Sequence, residues 1–202
     1  MKKQMPIFVL ASIVLTPLAH AQHPGHSPMS GMHGQHKGMT MRSMPIGTSG
    51  MEALKGLSGK EFNIAFMSQM IAHHQAALDM AQQALTVAKH AETKKEARMV
   101  ISDQKKEIEQ MTGWLQKWYG VEPSQKQADL MNSDMKGMMS MKIMSDRMFF
   151  EMMIPHHQAA IDMSKPALKQ SDRAEVKQLA RNIIKAQKAG ISRYKTLLVH
   201  VG

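Results

Sequence analysis

From residue 58 onward, apolar side chains recur every three or four residues, a period that predicts α-helices. In the first predicted helix, about 59–89, one face carries Phe62, Phe66, Met70, His73, Ala77 and Met80. Capping-box sequences at 58–61 and 93–96 predict where the first two helices begin. Gly120 is placed to end the second helix, since glycine tolerates the left-handed conformation of a helix C-terminus.

The second and fourth predicted helices carry apolar seams with alternating spacings of four and three, as in helix bundles. The first of these seams consists of Ala97, Ile101, Gln104, Ile108, Met111, Leu115 and Trp118. The other consists of Ala180, Ile184, Gln187, Ile191, Tyr194, Leu198 and Val201. Each seam contains one glutamine at the same place, and a buried amide there requires a hydrogen-bond partner.

The chain contains an internal repeat with a constant offset of 83 residues. Residues 70–80 read MIAHHQAALDM, and residues 153–163 read MIPHHQAAIDM. The same offset relates Phe66 to Phe149 and Gln104 to Gln187. A constant offset over such a span indicates duplication of a structural unit.

These patterns predict an all-α fold, a four-helix bundle built from two duplicated helix–turn–helix units. We assign repeat one to 58–120, a Met-rich connector to 121–140 and repeat two to 141–202. The connector is expected to be partly helical. Pro155 lies inside the third predicted helix, where proline removes a backbone hydrogen bond and favours a kink.

The repeated motif places metal-binding side chains on one face of each helix. Within about 120° of the helical wheel lie Met70, His73, His74 and Met80, and in the second copy Met153, His156, His157 and Met163. Thioethers suit Cu(I), and imidazole suits Cu(II) and other borderline ions. Methionine also fills cores, so a single copy is equally compatible with packing; the duplication favours metal.

Residues 22–57 are predicted to form a disordered tail, because Gly, Pro and Ser are frequent and apolar periodicity is absent. Its candidate metal ligands are His23, His26, His33, His36, Met39, Met41 and Met44. His-rich tracts are typical of metal binding, although a solvated linker remains the alternative.

The N-terminus predicts export. Lys2 and Lys3 precede a short apolar run, and Ala19-His20-Ala21 matches a signal-peptidase site, so residues 1–21 are interpreted as a signal peptide. We expect a mature periplasmic or otherwise exported chain beginning at Gln22, without a transmembrane segment. The sequence has no cysteine, so a soft-metal site must use Met or His, and Met outnumbers Leu by 23 to 13.

The net charge adds little to the functional interpretation. Without the predicted signal peptide, 24 basic residues face 16 acidic ones, a formal charge of +8. Nucleic-acid binding is not expected, because the chain carries an export signal and only nine aromatic residues.

The motif, followed by Gln104, Glu107, Ile108, Met111 and Trp114, resembles the family named domain of unknown function 305. The resemblance covers about 58–200. It implies a ferritin-like helical fold, export and a link to periplasmic copper tolerance, with the eight Met and His residues of the two motifs associated with metal. In the second repeat, Gly190, Tyr194 and Leu197 replace the family's Glu, Met and Trp. The two halves are therefore expected to bind metal unequally.

These observations favour a periplasmic copper-binding protein that sequesters or shuttles Cu(I), with Ag(I) and Cu(II) as further candidate ions. A periplasmic copper exporter or oxidase is the kind of partner expected, and the oligomeric state is left open. The alternative is a non-metal helical adaptor or periplasmic chaperone with plastic Met-rich surfaces. A ferritin-like oxidoreductase is less favoured, because its Glu-x-x-His motifs are absent, and we expect no enzymatic activity.

Overall fold

The computed structural model describes residues 48–201, and every regular element in that range is a helix. The six helices are α1 (Thr48–Leu54), α2 (Gly59–Val87), α3 (Ala91–Tyr119), α4 (Gln125–Met139), α5 (Asp146–Gln170) and α6 (Ala174–Leu197). The predicted all-α class is confirmed. No helix among these residues combines the length and hydropathy required of a membrane span.

Four long helices form the bundle. Helices α2 and α3 pack together after a turn of three residues, and α5 and α6 do the same. Such short connections make the paired helices antiparallel neighbours. Helix α2 also packs against α5, which joins the two repeats at the bundle centre. Gly120 ends α3 at φ 64°, as predicted.

The core uses Phe and Met more than Leu. Fully buried large side chains include Phe62, Phe66, Met67, Met70, Met80, Met111, Met131, Phe149 and Phe150. The buried faces of α3 and α6 are shifted slightly around each helix relative to the predicted seams. In α3, Val100 is buried while Ile101 is half-buried. In α6, Ile183 is buried while Ile184 is half-buried. Both seam glutamines are buried, as expected.

Helix α1 corrects the predicted extent of the disordered tail. Residues 48–54 are helical, and Gly50 and Leu54 are buried against the bundle. The Gln69 side chain donates to the Gly50 carbonyl at 3.0 Å, and Asp134 of α4 accepts hydrogen bonds from the amides of Ser49 and Gly50. These long-range contacts stabilise a segment too short to form a helix by itself.

Helix α4 occupies most of the predicted connector and packs on α1 and α2. Its methionines Met131, Met135 and Met138 are buried in the core. Met144, in the loop that follows, is 67% exposed. In the structure the buried methionines of the connector are therefore packing residues.

Hydrogen bonds between the two repeats form at equivalent positions, where each helix pair contacts the turn of the other pair. Asp146, at the start of α5, accepts hydrogen bonds from the amides of Lys89 and His90 in the α2–α3 turn, at 3.0 and 3.1 Å. Its equivalent after the 83-residue offset, Asn63, donates to Asp172 in the α5–α6 turn at 2.6 Å. Each helix pair thus anchors the turn of the other pair.

We predict that replacing Asp146 by asparagine destabilises the fold by about 1–2 kcal/mol, because both carboxylate oxygens accept backbone hydrogen bonds and asparagine has only one, uncharged, oxygen. Burial alone would raise the pKa of Asp146, but the hydrogen bonds from Lys89 and His90 lower it to about 2. The carboxylate therefore stabilises the fold above the unfolded-state pKa near 4, and this stability is lost as pH falls toward 2.

Urea unfolding of Asp146→Asn and of the matched surface variant Asp129→Asn, at pH 7 and pH 3, measures this contribution. Asp129 is exposed on α4, so its variant is expected to match the parent protein within about 0.5 kcal/mol. Equal stability of the two variants at pH 7 would contradict the role assigned to Asp146.

Candidate metal centre

The four histidines of the repeated motif are buried where α2 meets α5. His73 is 1% exposed, His74 and His156 are 0% exposed, and His157 is 4% exposed. The rings of His73 and His156 are in close contact, with centroids 3.7 Å apart and ring planes tilted by 33°. Because these two residues are related by the 83-residue offset, the internal repeat brings its own equivalent positions into contact.

The second histidine of each motif points away from this contact and toward its own helix partner. The Nε2 atom of His74 donates to the Glu107 carboxylate of α3 at 2.6 Å. His157 instead lies against α6, with its ring centroid 5.1 Å from that of Tyr194. Within each pair the rings are separated, by 6.0 Å in α2 and 6.4 Å in α5.

Gly190 explains why His157 has no equivalent of the His74–Glu107 contact. Gly190 occupies the position that Glu107 holds in the first repeat. A Cβ atom at Gly190 would lie 2.8 Å from Cδ2 and 3.0 Å from Nε2 of His157. The missing side chain therefore makes the space that the second-repeat imidazole fills.

The motif methionines are all buried but lie in two different clusters. Met70 and Met163 belong to one hydrophobic cluster, and Met80 and Met153 belong to the other. Each cluster thus receives one methionine from α2 and one from α5. The helical wheel grouped Met70 with Met80, whereas antiparallel packing of the two helices groups Met70 with Met163.

Burial favours the neutral form of three motif imidazoles, those of His73, His156 and His157. It is the main cause that lowers the pKa values of His73 and His156 well below the usual histidine range, and the neighbouring imidazoles lower them further. Burial, then His74 and Arg193, lower the pKa of His157 to about 3. A neutral imidazole keeps a nitrogen lone pair, which metal binding requires.

Several ring nitrogens have no protein partner within residues 48–201. These atoms are both nitrogens of His73 and the Nδ1 atoms of His74, His156 and His157. His156 uses its Nε2 atom to donate to the His73 carbonyl at 3.1 Å. Buried polar atoms without partners are uncommon in native proteins, so lone pairs held in this way fit a ligand-binding role.

The described residues contain no cluster of three or more His, Asp or Glu side chains placed to hold a metal ion. Among the described residues, the buried thioethers of the two motifs are the other soft donors on the same helices as the histidines. The predicted ligands of the tail lie outside the described residues: His23, His26, His33, His36, Met39, Met41 and Met44.

The comparisons with known proteins agree with the helical-bundle fold. The profile of the family described as a domain of unknown function (DUF305) matches residues 14–111 and again residues 63–198. The chain belongs to the DUF305 family. The two overlapping matches reflect the internal repeat. A comparison with curated protein sequences gives no match.

Among solved structures, CopM in the Cu(II)-bound form is similar, with 34% sequence identity and a TM-score of 0.59, over 68% of this chain and 96% of that chain. CopM in the Cu(I)-bound form gives 34% identity and a TM-score of 0.57 over the same shares. A DUF305 fragment from Deinococcus radiodurans gives 27% identity and a TM-score of 0.57, over 71% of this chain and 99% of that chain.

We predict opposite effects for alanine at two helical glycines. Gly190→Ala is expected to destabilise the fold by about 1–3 kcal/mol, because the new methyl group must displace the His157 ring in a packed core. Gly113→Ala, where a Cβ would meet nothing within 4 Å, is expected to stabilise α3 by about 0.5–1 kcal/mol.

Urea unfolding of the two variants checks this difference in sign. A Gly190→Ala variant that is as stable as Gly113→Ala would show that the His157 ring moves aside at little cost, contrary to the close contact at Gly190.

We also predict that the metal-free protein loses stability as pH falls below about 6.5. In the unfolded chain His73, His156 and His157 protonate near their ordinary pKa, whereas in the folded chain they resist protonation to lower pH. The unfolded state then binds more protons, so acid favours unfolding. Each such histidine contributes on the order of 1.4 kcal/mol per pH unit in this range.

Urea midpoints measured at pH 7.5 and 5.0 with a chelator present test this dependence. The double variant His73→Leu/His156→Leu is expected to show a shallower pH dependence than the parent protein. A parent protein equally stable at both pH values would overturn the assignment of buried neutral imidazoles.

Proposed function

We propose that this protein is an exported copper-binding protein that sequesters or shuttles Cu(I) for copper tolerance. The observation that carries the proposal is the buried contact between His73 and His156, in which both ring nitrogens of His73 and the Nδ1 atom of His156 lack protein partners among the described residues. A solved relative, CopM, has been determined in Cu(I)-, Cu(II)- and Ag-bound forms. Ag(I) and Cu(II) are therefore included as further ions.

The surroundings of the histidines favour a soft ion. The eight motif side chains are imidazoles and thioethers, all of them buried. A d¹⁰ ion such as Cu(I) takes thioether and imidazole ligands readily, whereas hard ions prefer oxygen. The buried thioethers come from both repeats in each cluster, so an ion bound near the centre would draw on both halves of the chain.

Glu107 is not a proposed Cu(I) ligand, but its contact with His74 supports the same proposal. By accepting the Nε2 proton of His74, its carboxylate leaves the Nδ1 atom with the lone pair. A carboxylate in this position fixes the tautomer and orientation of a metal-binding histidine. The second repeat lacks this carboxylate at Gly190, so we propose that the first repeat provides the stronger imidazole ligand.

In this proposal the tail acts as an accessory collector. Its candidate ligands, four histidines and three methionines, precede the bundle in the chain, and His-rich tracts are typical of metal binding. The predicted signal peptide places the protein in the periplasm, where a copper exporter or oxidase would be the exchange partner. We assign no catalytic residue.

A competition titration with Cu(I) and a chelator tests the proposal. We predict that the mature chain from Gln22 and a version from Gly47, which keeps α1 intact, both retain tight binding. His73→Leu/His156→Leu in the shorter version is expected to weaken Cu(I) binding by more than about 100-fold, since losing ligands costs more than losing their outer-shell partners.

His200→Leu, at an exposed position near the C-terminus, is the matched control and is expected to bind as the parent protein does. Circular dichroism of each variant verifies folding. Loss of Cu(I) binding on removal of residues 22–46 alone would reject the bundle as the site. A double variant that binds as tightly as its parent would reject the central histidines.

A further inference from the structure

A second group of metal-binding side chains lies between α3 and α6. A cavity of about 150 Å³ there is lined by the amides of Gln104 and Gln187, the Glu107 carboxylate and the His157 imidazole. The volume is sufficient for an ion with several water molecules, since one water takes about 30 Å³. The cavity therefore brings the glutamines of both seams to a motif histidine.

The two glutamines are buried without partners for their oxygen atoms. Gln104 is 3% exposed and Gln187 is 5% exposed, and both Oε1 atoms lack a hydrogen-bond partner among the described residues. They are equivalent positions of the repeat, so the duplication delivers two amide oxygens to one cavity. A buried amide interrupting an apolar seam destabilises the core unless a ligand or ordered water meets it.

The charge of the cavity favours a cation. Asp103 and Glu107 line it, and so does one basic side chain, Arg193. The Arg193 guanidinium is already paired with Glu96, at 3.0 and 3.1 Å for its two closest contacts. The Glu96 carboxylate neutralises Arg193, which leaves the negative charges of Asp103 and Glu107 uncompensated by the lining.

We propose that this cavity binds a borderline divalent cation such as Zn(II), through the Glu107 carboxylate, the His157 imidazole and the amide oxygens of Gln104 and Gln187. A mixed nitrogen and oxygen donor set suits such ions, unlike the Met and His set at the bundle centre. The amide oxygens complete a donor set that His, Asp and Glu alone do not supply. Only His157 is shared with the set proposed for Cu(I).

Thermal unfolding of the full mature chain with Zn(II) tests this site. An ion that binds only the folded state raises the unfolding midpoint, whereas an ion held equally by the tail in both states does not. We expect the midpoint to rise by about 5–10 °C when Zn(II) is in about 100-fold excess over the dissociation constant.

We expect that each of the variants Gln187→Leu and Glu107→Gln loses at least half of the Zn(II)-induced rise in unfolding midpoint. The matched controls are Gln178→Leu on α6 and Glu109→Gln on α3, both at exposed positions, and both should keep it. Leucine is close in size to glutamine, and circular dichroism verifies folding. No rise with Zn(II), or the same rise in Gln187→Leu as in the parent protein, overturns the proposal.

The Cu(I) titration of Gln187→Leu separates the two proposals. Unchanged Cu(I) affinity together with a lost Zn(II) response supports two distinct sites. Absence of Cu(I) binding in every variant, with the Zn(II) response intact, would reject the proposed copper function and leave this inference standing. A loss of both responses in a folded Gln187→Leu variant would overturn the separate site.

Discussion

The close contact between the tilted rings of His73 and His156 is the interaction around which the bundle is arranged. It lies where α2 packs against α5, which belong to different repeats, and both rings are excluded from water. Burying imidazoles that lack partners for most of their nitrogens lowers stability. Apolar side chains would pack here at lower cost, and the unpartnered imidazoles are the basis of the proposed copper site.

The duplication determines how that centre is surrounded. Helices α2 and α5 are equivalent elements of the repeat, and each contributes one methionine to each hydrophobic cluster. One cluster contains Met70 and Met163, and the other contains Met80 and Met153. The same relation places Gln104 and Gln187 around one cavity. The repeat therefore supplies two copies of these methionines and glutamines and also brings the copies together. A single helical hairpin cannot do this.

The two repeats differ in the side chains that surround the second histidine of each motif. Glu107 holds His74 in the first repeat, and Gly190 leaves room for His157 in the second. Tyr194 packs on His157 and on Phe150, so aromatic side chains enclose the second imidazole. Burial raises the pKa of Tyr194, which keeps the phenol neutral. One motif histidine is thus oriented by a carboxylate, while the other lies in an aromatic and amide environment.

The sequence by itself determined the helices and the candidate ligands. The three- and four-residue period identifies the four long helices, because a helical face is a local property of consecutive residues, and the constant offset reveals the duplication. Tertiary structure decided which ligands meet. Helical wheels treat α2 in isolation and group Met70 with Met80, whereas packing against α5 separates them. Helix α1 likewise depends on distant partners, Gln69 and Asp134, so its seven residues carried no local signal strong enough to predict it. Contacts between residues far apart in the chain follow from how the helices pack, which no local pattern specifies.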